Sequence, residues 1–202
     1  MREDAKEPQH HAARMERKRA AMEARKRRAQ QDRGVLLVLT GVGKGKSSSA
    51  WGMVARTLGH GRSAGVMQFI KGAEATGEEL FFREHPRVDW RVMGEGFTWE
   101  TADRERDAAA ARAAWEVARC WLCPEGPSLV VLDELCLALR YEYLELGEVL
   151  DGLSQRPPAQ HVVITGRHAP KPLVEAADTV SAVEPVRHAF EAGVRAQPGI
   201  EW

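Results

Sequence analysis

From residue 34 to residue 183, short unbroken apolar runs alternate with longer stretches whose apolar residues recur at helical spacing. Val35-Leu36-Leu37-Val38-Leu39 is continuous, the pattern of a strand covered on both faces. Further strands are predicted over residues 64–70, 88–93, 128–132, 161–165 and 179–183. Helices are predicted from the end of the first loop to about Leu58, and over 102–122, 143–153 and 172–177. Gly59-His60-Gly61, the Pro124–Gly126–Pro127 cluster and Arg156-Pro157-Pro158 punctuate them. Strands alternating with helices predict an open α/β sheet, mostly parallel. On such sheets ligands sit at the carboxyl ends of the strands.

Residues 1–33 follow a different pattern. Met15 and Met22 are the only large apolar residues beyond Met1, while Ala, Arg and Gln abound. That composition favours helix but supplies no apolar face to hold one down. Charge divides the same way. The whole chain of 202 residues carries no net formal charge, yet residues 1–33 have a net charge of +5 and the rest of −5. A basic extension thus precedes an acidic body with no evident basic stripe, which argues against a nucleic-acid partner. No apolar run approaches membrane-spanning length, and no apolar stretch follows the N-terminal residues as in a secretory leader. Three cysteines suit a reducing, cytoplasmic setting. Cys120 and Cys123 form a single C-x-x-C pair that cannot complete a tetrahedral zinc site; with Cys136 they read as structural.

Thr40-Gly41-Val42-Gly43-Lys44-Gly45-Lys46-Ser47 joins the first strand to the first long helix. It matches a phosphate-binding loop at Gly45-Lys46-Ser47, with Thr40 in place of the first glycine. Glycines 41, 43 and 45 let backbone N–H groups turn inward as an anion nest, and the helix start adds its own. Lys46 brings a point charge to phosphate, Ser47 a hydroxyl for Mg²⁺, and Ser48 a second hydroxyl. Lys44 is open to two readings, a phosphate contact or a solvated loop residue. Val130-Val131-Leu132-Asp133-Glu134 reads as an apolar strand delivering carboxylates beside the first strand, one of which binds Mg²⁺ directly or through water. A helix N-cap is the plainer role of such a pair. Together these segments point to a nucleoside triphosphate with Mg²⁺.

Further strings follow in order: Gln68-Phe69-Ile70-Lys71-Gly72, Gly96-Phe97-Thr98-Trp99-Glu100-Thr101, Ile164-Thr165-Gly166-Arg167, Val186-Arg187-His188-Ala189-Phe190 and Gly193-Val194-Arg195-Ala196-Gln197-Pro198-Gly199-Ile200-Glu201. With the phosphate loop, this series resembles the cob(I)alamin adenosyltransferases of the CobA type, also called BtuR or CobO, over residues 34–202. The resemblance implies a three-layer P-loop fold of the RecA kind, with residues 1–33 as a flexible or helical lid. It implies transfer of the 5′-deoxyadenosyl group of ATP to the Co(I) of a corrinoid, with release of triphosphate. ATP then lies reversed in the loop relative to P-loop hydrolases, and Mg²⁺ (or Mn²⁺) assists. Phe97 and Trp99 align with the aromatic pair that wedges against the lower corrinoid face and eases reduction of cobalt. An external reductant such as reduced flavin or a flavodoxin-like protein supplies the electron, and a homodimer is implied. The C-terminal series, with His188, is implied to close the nucleotide pocket, although a lone histidine is more often structural. Arg167 is read as a phosphate contact or a surface ion pair, and Lys71 as a nucleotide contact or a solvated charge. The alternative readings are a P-loop NTPase or kinase cleaving the γ-phosphate, and a nucleic-acid ATPase gripping through its basic arm.

Overall fold

In the computed structural model the described residues are 6–70, 75–93 and 104–201, with side chains from residue 13 onward. The chain separates into two compact units, residues 1–33 and 34–202. The first is a helix, α1 (Lys6–Arg28), whose described side chains from residue 13 are exposed except for Ala24.

Among the described residues the second unit has six strands: β1 (Leu36–Thr40), β2 (Ala64–Gln68), β3 (Val88–Val92), β4 (Leu129–Asp133), β5 (His161–Thr165) and β6 (Thr179–Ala182). They lie in the order β3-β2-β4-β5-β1-β6, and every neighbouring pair is parallel. The mostly parallel sheet expected from sequence is therefore wholly parallel. Period-2 alternation sends successive side chains to opposite faces. Leu36, Val38, Val130, Leu132, Val162 and Ile164 pack on one face against α4 (Arg104–Cys120), α5 (Leu135–Arg140), α6 (Leu146–Ser154) and α7 (Lys171–Ala176). Leu39, Val66, Val131 and Val163 pack on the other against α2 (Lys46–Gly59) and α3 (Gly77–Phe82). Three layers result, as the resemblance implied.

Several sequence expectations need correction. β4 does not lie beside β1, because β5 is inserted between them. The helix expected from Tyr143 begins at Leu146, since Glu145 is still extended. The second strand ends at Gln68, two residues early. Helices α3 and α5 were not anticipated. Cys120 is exposed rather than buried, while Cys136 is fully buried and all three cysteines are free. Among the described residues no helix is long and apolar enough to cross a membrane.

Candidate active site

The site forms where one face of the sheet changes character at its carboxyl rim. Val66, Val131 and Val163 are buried on the α2 face; two residues on, the same face presents Gln68, Asp133 and Thr165. Gln68 is the register partner of Asp133. Thr165 Oγ1 donates to Asp133 Oδ1 at 2.7 Å, and Gln68 Nε2 donates to Oδ2 at 3.3 Å. The Glu134 backbone N–H in turn donates to Thr165 Oγ1 at 3.0 Å. Burial pushes the Asp133 carboxyl above its ordinary value, and the Thr165 and Ser47 hydroxyls and the Gln68 amide oppose it.

The phosphate loop borders the same cleft. Thr40 Oγ1 accepts from the Ala169 N–H at 3.2 Å, so the residue in the first-glycine position ties β1 to the chain beyond β5. Gly43 N–H donates to Val183 O at 2.7 Å, which anchors the loop to the end of β6. Gly45 adopts φ 115° immediately before α2, a backbone turn that glycine accommodates without strain. Lys46 is buried, with Nζ donating to Gly43 O at 2.7 Å across the loop. Desolvation lowers its pKa, partly offset by Glu134 and Asp133.

Glu134 sits in the left-handed region at φ 57° and begins α5 without a side-chain capping bond. The pair does stand at a helix start, yet neither carboxylate caps it. Burial first, then the Asp133 charge, raises the Glu134 carboxyl to about 7, against Lys46 and Arg167. Its Oε2 is buried and has no hydrogen-bond partner among the described residues. A buried carboxylate oxygen left open beside a serine hydroxyl and a second carboxylate fits a hard cation that takes one or two carboxylates plus substrate phosphates.

These groups border one open cleft of about 650 Å³. Gly43, Lys44, Gly45, Lys46, Ser47, Ser48, Asp133, Glu134, Arg167 and His188 all line it. Gly41 does not; at φ 94°, with an added Cβ meeting the Val183 carbonyl oxygen, it is a turn glycine packed against the chain after β6. Lys44 is neither free nor turned to the loop, because its Nζ pairs with Glu201 Oε2 at 2.7 Å. The half-buried His188 accepts from Phe190 N–H at 3.2 Å. Lys71, Phe97 and Trp99 lie outside the described residues. Sequence reasoning missed the roles of Gln68 and Thr165, and the contribution of Trp51, Glu78 and Phe81 to the walls. The available signal for the first two was a polar residue at the last inward position of an otherwise apolar strand.

Fold and site together define a P-loop nucleotide-binding α/β protein. The family model described as ATP:corrinoid adenosyltransferase BtuR/CobO/CobP matches residues 32–202. A corrinoid adenosyltransferase of Pseudomonas aeruginosa is 57% identical over 203 residues, spanning all of both chains. The corrinoid adenosyltransferase of Escherichia coli K12 is 46% identical, over 94% of this chain and 96% of its own. The corrinoid adenosyltransferase CobA of Salmonella typhimurium is 47% identical, over 90% and 92%. The chain belongs to the ATP:corrinoid adenosyltransferase family and is a transferase whose substrates are ATP and a corrinoid.

Proposed function

We propose that this chain holds ATP through its triphosphate so that C5′ of the ribose meets the Co(I) of a reduced corrinoid. The observation that carries this reading is the convergence on one cleft of a buried phosphate-loop lysine and a carboxylate with one buried oxygen that has no partner among the described residues. Family membership directs attack to the sugar carbon rather than to the γ-phosphorus. The Co(I) electron pair forms the Co–C5′ bond while the C5′–O bond breaks, and its electrons leave on triphosphate. The nucleophile has no proton to lose, so no general base is required.

The protein's work is placement and charge stabilisation. Loop N–H groups from Lys44 to Ser47 and the start of α2 meet the phosphate oxygens, the Gly43 N–H being committed to Val183 O. Lys46 neutralises charge growing on the departing oxygen. Ser47, Asp133 and Glu134 are the residues that would hold Mg²⁺ or Mn²⁺, which when bound supplies Lewis-acid stabilisation of the leaving triphosphate. Ser48 and Arg167 are assigned to phosphate, and His188 and Lys71 to the nucleotide. Lys44 reaches phosphate only by leaving Glu201. Phe97 and Trp99 are assigned to the lower corrinoid face, where they displace the axial ligand and exclude water so that Co(II) accepts an electron from an external reductant. A homodimer, with residues 1–33 closing over a site, completes the proposal.

Incubation with ATP, Mg²⁺ and chemically reduced cobalamin should yield the spectrum of the adenosylated product and free triphosphate. Release of ADP and phosphate without that product would instead identify a γ-phosphate hydrolase. Lys46→Ala should lower turnover by at least about 100-fold while leaving the melting temperature within a few degrees.

A further inference from the structure

Gln68 lies at the carboxyl end of β2, buried, on the rim of the cleft, and nothing above gives it a task in the reaction. Its two amide ends face different partners. Trp90 Nε1 donates to Gln68 Oε1 at 3.1 Å, and Gln68 Nε2 donates to Asp133 Oδ2 at 3.3 Å. An indole N–H can only donate, so Trp90 fixes which end of the amide is oxygen. That leaves the NH₂ end toward Asp133, where a carboxylate needs a donor. Trp90 is itself held, with its ring 4.7 Å from that of Trp51 on the phosphate-loop helix and stacked on Phe82 of α3 at 6.3 Å. The second N–H of Gln68 finds no acceptor among the described residues.

We infer that Gln68 is a positioning residue for the nucleotide site, locked by Trp90 and holding the Asp133 carboxylate in the orientation that serves Ser47 and the bound metal–triphosphate. Thr165 secures one carboxylate oxygen and Gln68 the other, so neither can rotate without breaking a bond inside a buried region. Trp90 acts at one remove. Without its N–H the amide is free to turn, and an oxygen can then face Asp133. The inference rests on the reading of Asp133 as a metal-serving group.

The test is Mn²⁺ binding to the full chain in the presence of ATP, read by electron paramagnetic resonance, with melting temperatures recorded alongside. Gln68→Leu should raise the Mn²⁺ half-saturation concentration about tenfold, and Trp90→Phe, which keeps the ring, about threefold. Because both act through one amide, Trp90→Phe should add almost nothing in the Gln68→Leu background. Gln68→Glu, nearly isosteric, should weaken Mn²⁺ binding at least as much and serves if the leucine variant does not fold. Full additivity of the two substitutions, or unchanged Mn²⁺ affinity in folded variants, overturns the inference. If the parent protein itself binds ATP with no Mn²⁺ effect, the underlying metal reading fails and this inference fails with it.

Discussion

At the scale of single residues, the site consists of polar groups that the fold buries at a cost and a ligand then uses. Glu134 is the sharpest case. Its folded-state pKa of about 7 stands above the ordinary 4.5. Between those values the unfolded chain releases a proton that the folded, ligand-free protein retains. Stability from this group is therefore complete below about pH 4.5 and lost as the pH rises through 7. Glu134→Gln should match the parent near pH 4.5 and exceed it above pH 7, by at most about 3 kcal/mol. Urea midpoints at pH 5 and pH 8 check this; a difference that shrinks with rising pH would contradict it. The variant should at the same time lose metal-dependent ATP binding, so its gain in stability would accompany a loss of function. Lys46 and the loop glycines were plain in the sequence because spacing alone marks them. Gln68 and Thr165 were not, because a single amide or hydroxyl has no signature until strand register sets it beside Asp133.

At the scale of elements, strands were easier to read than short helices. Continuous apolar runs marked β1, β4 and β5, since burial on both faces demands them. Helix α5 was invisible because Leu135-Cys136-Leu137-Ala138-Leu139 is buried all round and carries no polar stripe. Helix α3 is six residues long, too short for a period, although Thr76 three residues before Glu79 was a usable capping sign, and Thr76 Oγ1 does accept from Glu79 N–H. The phosphate loop owes its shape to a close approach rather than to regular structure. A Cβ on Gly43 would lie 2.7 Å from Val183 O and 2.9 Å from the Glu184 carbonyl carbon, both backbone atoms. Gly43→Ala must push the loop off the end of β6. It should weaken ATP affinity about tenfold while the sheet stays intact, as calorimetric ATP titration and circular dichroism would report.

At the scale of the whole molecule, the order of strands is the part that no local pattern encodes. The sequence gives strands one after another, whereas placing β5 between β1 and β4 depends on which crossovers pack best. That insertion brings Thr165 next to Asp133, and the loop and the acidic pair border one cleft. The division at residue 33 carries its own expectation. Both apolar clusters of described residues lie within the second unit. Deleting residues 1–33 should leave the melting temperature within about 2 °C. If the basic arm closes over the anionic substrate, the same truncation should lower adenosylation kcat/KM several-fold. A truncated protein with unaltered kinetics would remove that role.

Because the described strands all run the same way, the residues proposed to handle the nucleotide gather at the carboxyl rim, and the opposite rim carries the turns that feed the strands. The Gly61–Arg62 turn entering β2 is exposed and takes no part in the cleft. An insertion placed there should leave the distances among Lys46, Asp133 and Glu134 unchanged. The architecture thereby separates the part of the protein that is free to vary from the part that must hold still.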